Sequence, residues 1–255
     1  MKKELAILVL SCDKYSELWD LFFNRWKKYW PDCNYPLYLL SNISLYQSSG
    51  VINLNTGIDV DWSSNLMISL DMIEEENVLL MMDDAPLNAM VDNDEFSYFI
   101  KYFLDKKLNY LNMKSSPKPN NNLDQKIGEL LPGTLYRTAI VPCLWKKNIL
   151  KDLLITGETA WSFEIAGSER SNKFQGFNST INPFFNLMHC VIRGKIDRRV
   201  WKELKKNGEE KNLKFPIMSI EEQINFMYRQ LVSKLFNMIV PNKYKKNIRK
   251  FIKNE

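Results

Sequence analysis

Two adjacent carboxylates, Asp83 and Asp84, close the apolar run Asn77-Val78-Leu79-Leu80-Met81-Met82. Side by side they repel each other unless a cation, hydrogen-bond donors or water compensate them, so the pair suits a divalent metal or a polar ligand. Asp-Asp before Ala85-Pro86 is equally the sequence of a solvated turn. Two more carboxylates, Glu158 and Glu164, flank Trp161 in the stretch Gly157-Glu158-Thr159-Ala160-Trp161-Ser162-Phe163-Glu164, which fits one or two helical turns. These glutamates either face a ligand or pair with Arg170 or Lys173, with Trp161 in the core.

What such residues can do depends on the elements that carry them. The run before Asp83 has no polar alternation, as in a strand of a parallel sheet covered on both faces, whose ligands gather outside the carboxyl ends of the strands. Leu5–Leu10 has the same character, and Ser11-Cys12-Asp13-Lys14-Tyr15 follows it as a polar turn. Leu18, Leu21, Phe22, Arg25, Trp26 and Tyr29 then recur at helical spacing, with Ser16 as the expected N-cap and Trp30-Pro31 as the stop. Pro36 opens a second strand at Leu37, completing a strand–helix–strand unit that is right-handed when its strands are parallel. Asp61 or Ser63 caps a second helix with Leu66, Ile68, Leu70 and Ile73 on its apolar face.

Further on, residues 94–104 carry Phe96, Phe99, Ile100 and Phe103 at helical spacing, 108–111 suit a strand, and the proline- and asparagine-rich stretch 115–122 is a mobile loop. A strand is expected over 133–137, a short helix over 146–154 with Gly157 just beyond it, and a loop over 171–182. Residues 189–195 read as a late strand and turn. From Met218 the pattern is helical again, with Ile220, Ile224, Met227, Leu231 and Leu235 near one face, and Pro241 interrupts it. The expected organisation is an α/β domain over residues 1–215 and a helical, basic extension over 216–255.

Composition narrows the class. With 45% apolar and 25% charged residues over 255 positions, the chain can bury a full core. Four scattered cysteines without a C-x-x-C pair, and a single histidine, leave little for a zinc cluster and suit a reducing, cytoplasmic setting. The run Leu5–Leu10 is too short for a signal-peptide core, and no stretch is long and apolar enough to span a bilayer, so any membrane contact is peripheral. No G-x-G-x-x-G or Walker loop occurs, which disfavours a dinucleotide or P-loop fold.

Four stretches in order, residues 8–15, Asp61-Trp62-Ser63, Val78 to Asp84 and Gly157 to Glu164, make the chain resemble bacterial glycosyltransferases of the GT-A type that build lipopolysaccharide, O-antigen or capsule. The resemblance spans roughly the first two-thirds of the chain. It implies an α/β, Rossmann-like mixed sheet flanked by helices, with a C-terminal helical extension. It also implies a nucleotide-sugar donor, by default a UDP-sugar, and a glycan or lipid-linked glycan acceptor. The usual metal motif of that fold is Asp-x-Asp, whereas the aspartates here are adjacent.

The resemblance assigns roles by position. Asp83 and Asp84 would hold Mn²⁺ or Mg²⁺ against the departing diphosphate, with His189 as a further metal ligand unless, flanked by Met188 and Cys190, it is a partly buried structural residue. Ser11, Asp13 and Tyr15 would contact the donor, Asp13 accepting from base or ribose and Tyr15 stacking, with a plain strand-to-helix turn and Tyr15 in the core as their alternative; Asp61 would contact the donor too. Arg193 and Lys195 would meet the diphosphate, or be ordinary surface charge. Glu158 or Glu164 would take the acceptor proton, Glu158 being preferred, and Trp161 would face a sugar ring.

Lys243, Lys245, Lys246, Arg249, Lys250 and Lys253, interleaved with Tyr244, Ile248, Phe251 and Ile252, suit an anionic inner leaflet as well as a solvated helix end. No nucleic-acid recognition motif accompanies them. The alternative to an enzyme is a non-catalytic scaffold or adaptor of a glycan-assembly complex that keeps the fold.

Overall fold

The computed structural model describes residues 4–240; the basic stretch 243–253 lies outside the described residues. The chain divides into two compact units, Met1–Leu187 and Met188–Glu255. The first unit runs β1 (Leu5–Leu10), α1 (Trp19–Tyr29), β2 (Leu37–Ser41), β3 (Val51–Asn55), α2 (Trp62–Met72), β4 (Asn77–Met82), α3 (Asn93–Asp105), β5 (Tyr110–Asn112), β6 (Asn121–Asn122), β7 (Ile127–Glu129), β8 (Cys143–Lys146), α4 (Lys147–Leu153), α5 (Ala160–Arg170) and β9 (Phe177–Thr180). Its strands form one nine-stranded sheet in the order β3-β2-β1-β4-β8-β5-β9-β7-β6. The first four are mutually parallel, and β8 enters antiparallel between β4 and β5. This is the mixed α/β sheet flanked by helices that the sequence leads one to expect.

Alternate residues of the central strands point to opposite faces, which is why β1 and β4 are apolar without a break. Ile7, Val9, Leu39, Leu79 and Met81 pack under the aromatic side chains of α1 and α3, among them Phe22, Trp26, Phe96 and Phe103. Ala6, Leu8, Leu40, Val78 and Leu80 face α2, α4 and α5 through Leu66, Leu70, Leu150 and Phe163. Arg25, on the apolar stripe of α1, is buried with them and donates from Nη1 to Asn88 Oδ1 at 2.6 Å.

Three local expectations change. Ser16 does not cap α1: Asp13–Leu18 forms a 3₁₀ turn, and α1 begins at Trp19 without a side-chain cap. Residues 133–137 form turns rather than a strand, because the buried Arg137 bends the chain to reach three carbonyls, Leu130 O (2.9 Å), Ser171 O (2.5 Å) and Phe174 O (3.0 Å). The strand comes instead from inside the expected loop 171–182, where β9 pairs with β5 and β7. Its sequence Phe-Asn-Ser-Thr is wholly buried yet mostly polar, so hydrophobic periodicity gave no sign of it.

The second unit holds β10 (Val191–Ile192), β11 (Lys195–Ile196), α6 (Arg198–Asn207) and α7 (Ile220–Ile239). The hairpin turns through Arg193 and Gly194, both at positive φ, as the tight two-residue turn of a hairpin requires. Ile196 N donates to Pro216 O at 2.8 Å, and Met218 N to Ile196 O at 3.0 Å. These bonds tie the hairpin to the segment before α7 within the second unit. Ser219 and Glu222 form a reciprocal capping box at the start of α7.

Candidate functional site

Register builds the first part of the site. β1 and β4 are parallel with Leu10 opposite Met82, so the next residues, Ser11 and Asp83, meet at the carboxyl edge. The Ser11 hydroxyl donates to Asp83 Oδ2, and the Trp19 indole donates to Ser11 Oγ at 2.7 Å. Asp83 is 4% exposed. Burial pushes its carboxyl up to about 8, with Ser11 pulling it down and Asp84 adding to the rise.

Asp84 has different surroundings. Consecutive side chains leaving a strand diverge, and here Asp83 turns to Ser11 while Asp84 feels the Lys114 ammonium. Burial pushes Asp84 up to about 6 against the pull of Lys114. Apart from its own amide, its carboxylate has no hydrogen-bond partner among the described residues. Tyr15, half-buried, is raised by burial and then by the charge of Asp84.

Lys114 was not singled out in the sequence, although a charged residue just past a strand is the same signal that marked Asp83. Cys143 of β8 lies between Leu80 of β4 and Asn112 of β5, so β4 and β5 run in the same direction and end at one edge. The turn at Lys114 is fixed by Met113 N donating to Pro142 O (3.0 Å) and Lys114 N to Asn112 Oδ1 (2.8 Å). Its exposed ammonium makes no ion pair among the described residues. Glu164 of α5 feels the same lysine: burial raises its carboxyl, while the Ile140 amide, donating at 3.1 Å, and Lys114 hold it down. Asp84, Lys114 and Glu164 are thus electrostatic neighbours brought in by three separate elements.

Other expected site residues are engaged in holding the frame. Asp13 accepts from the amides of Asn42 (3.0 Å), Ile43 (3.2 Å) and Ser44 (3.1 Å), latching the turn after β1 to the turn after β2. Burial would raise it, yet these amides outweigh burial and lower it. Asp61 caps α2, accepting from Ser64 N at 2.8 Å and from the hydroxyls of Ser63 and Ser64, which hold it far below the usual carboxylate range. Glu158 closes a two-point pair with Arg170, at 2.9 and 2.7 Å, and its amide donates to Ser63 Oγ. That pairing is the alternative to a ligand contact for Glu158, whereas the carboxyl of Glu164 is raised by burial. Trp161 is not in the core: it stands 72% exposed on the first turn of α5.

His189, Arg193 and Lys195 belong to the second unit. His189 is exposed rather than partly buried. Arg193 is exposed at the hairpin turn, and Lys195 pairs with Glu222.

Among the described residues no group of three or more His, Cys, Asp and Glu side chains gathers as a metal cage. Of the pair, Asp84, whose buried carboxylate lacks a side-chain hydrogen-bond partner among the described residues, has the chemistry of a ligand to a hard divalent cation, while Asp83 is engaged by Ser11. Their desolvation is the condition a cation relieves, and Mg²⁺-type sites use one or two carboxylates plus water and substrate phosphates.

No protein-family model matches the chain, and no curated protein matches it. Solved structures do. UTP-bound UGPase from Acinetobacter baumannii aligns with a TM-score of 0.50 at 9% identity, over 91% of this chain and 99% of that one. S. aureus TarS 1–349 in complex with UDP aligns at 0.48 and 12% identity, over 96% of this chain and 77% of that one. A further structure of TarS 1–349 aligns at 0.48 and 13% identity, over 71% of this chain, which spans 58% of its length. At 9% identity the likeness to the UTP-bound UGPase is one of fold.

Proposed function

We propose that the protein is a glycosyltransferase that moves a sugar from a nucleotide-sugar donor to an acceptor hydroxyl. The observation that carries this reading is the convergence at one sheet edge of an unpartnered carboxylate (Asp84), a cation outside any ion pair (Lys114) and a carboxyl of raised proton affinity (Glu164). Glu164 takes the acceptor proton as the acceptor oxygen bonds to the anomeric carbon. The bond from that carbon to the diphosphate breaks, and the nucleoside diphosphate leaves with the electron pair. Lys114 stabilises the charge that develops on the leaving oxygens. Asp84 and Asp83 would hold a divalent cation, which adds to that stabilisation when bound. Tyr15 lines the donor side, and Trp161 offers its exposed ring to the acceptor.

A uridine nucleotide is the first donor to test, because the fold is shared with a UTP-bound enzyme. The acceptor we assign is a growing surface glycan carried on lipid, of the lipopolysaccharide or capsule kind, met at the cytoplasmic membrane face. This assignment rests on the resemblance of the sequence motifs alone.

Calorimetric titration with UDP and UDP-sugars, with and without Mn²⁺, tests the donor site. A scaffold that only keeps the fold shows no metal-linked nucleotide binding, and that result overturns the proposal. Product analysis separates sugar transfer from nucleotidyl transfer. The first releases UDP and needs a base for a hydroxyl proton, whereas UTP with a sugar phosphate releases pyrophosphate and needs no such base, since a phosphate nucleophile is already ionised.

A further inference from the structure

We infer that α7 is a membrane-surface helix whose apolar face lies on an anionic lipid leaflet. At 100° per residue, Ile220, Ile224, Met227, Leu231, Leu235 and Ile239 fall within an arc of about 120°. All six are exposed, between 44% and 73%. Glu222, Arg229, Gln230 and Ser233 occupy the opposite side together with Phe226, and Glu221 stands at the edge of the apolar arc. The other amphipathic helices cover their apolar stripes: α1 buries Phe22 and Trp26, and α6 buries Leu204. Within its own unit α7 is fastened at its first turn, where Glu222 pairs with Lys195 and Gln223 Oε1 accepts from Arg198 N at 2.8 Å. Beyond that turn Ile224, Met227, Leu231, Leu235 and Ile239 stay exposed.

Charge identifies what that face meets. The residues after α7, 241–255, carry six Lys and Arg against one carboxylate, Glu255. That excess equals the formal net charge of the whole chain, +5, so residues 1–240 are balanced. An apolar helix face continuing into a cationic segment matches a surface with acyl chains beneath anionic headgroups. A second copy of the chain brings no anionic complement, since residues 1–240 are balanced and 241–255 are cationic.

Co-sedimentation of the full chain with phosphatidylcholine vesicles, with and without one-third phosphatidylglycerol, tests the inference. Binding is expected on the anionic vesicles alone and should fall when salt rises from 0.1 to 0.5 M. Ile224→Asp with Leu231→Asp should weaken it at least tenfold and leave the thermal transition in place, because both side chains are exposed. Lys245→Gln, Lys246→Gln and Lys250→Gln together should weaken it by about two orders of magnitude. Absence of binding to anionic vesicles overturns the inference, as does binding that survives the two aspartates. A solution dimer that the aspartates dissolve, without lipid binding, assigns the face to self-association instead and equally overturns it.

Discussion

The Ser11 hydroxyl donates to Asp83 Oδ2 across the junction of two parallel strands, and the Trp19 indole donates to that hydroxyl at 2.7 Å. A serine from the first turn and a carboxylate 72 residues later thus form one unit, supported by the helix between them. Ser11→Ala removes the donor to Asp83 and leaves the Trp19 N–H without its acceptor. The expected cost is about 1–3 kcal/mol, read as a lower urea midpoint at unchanged m-value.

The aspartate pair makes stability pH-dependent in a defined direction. In the folded protein burial pushes the carboxyls of Asp83 and Asp84 up to about 8 and about 6, above the ordinary carboxylate value of 3.8. Between those values the unfolded chain binds fewer protons at these two groups than the folded one, so the pair's own contribution to stability is full below pH 4 and declines as pH rises through 6 and 8. In chelator, the thermal transition of the wild type should fall over that range. Asp83→Asn should remove part of the fall, and at pH 8.5 be more stable than wild type by a few kcal/mol, on the order that its shift implies. A flat difference between the two proteins from pH 4 to 8.5 rules out a buried, protonated Asp83.

Glu158 and Glu164 should separate cleanly by substitution. Glu164→Gln is expected to lower turnover by about 10²–10⁴-fold with little change in unfolding, as for loss of a general base. Glu158→Gln leaves Arg170 without its two-point partner and should cost about 1–3 kcal/mol of stability, with activity per folded molecule retained. If both lose activity equally at full stability, the division of roles is wrong.

Lys114 holds down the carboxyls of both Asp84 and Glu164. Lys114→Met should therefore move the acidic limb of the rate–pH profile upward and weaken nucleoside diphosphate binding. Lys114→Arg should restore most of both. A profile that does not move would remove Lys114 from the reacting centre.

Arg137 is a buried cation that meets carbonyl oxygens and the face of Phe177, 4.2 Å from its guanidinium carbon, rather than a carboxylate. Burial pushes it down to about 10. Arg137→Ala should destabilise by about 3 kcal/mol, since three carbonyls lose their donor and a cavity opens. Chemical denaturation measures this.

By itself the sequence determined the frame. Unbroken apolar strands, helices with aromatic stripes and polar turns at strand ends specify a two-faced α/β sheet, and Asp61 is legible as a cap because capping is local chemistry. It also brought Ser11, Asp83 and Asp84 to strand ends. Tertiary structure decided what each residue does there, because register and pairing over long sequence separations leave no periodic trace. Only the Leu10–Met82 register puts Ser11 on Asp83, and only the placement of β8 brings the ends of β4 and β5 to one rim, with Lys114 beside Asp84. Asp13 and Glu158 have the residue type of ligand-binding groups, but amides of another turn and an arginine 12 residues on claimed them. A carboxylate's role follows from what saturates it, and that is settled by folding.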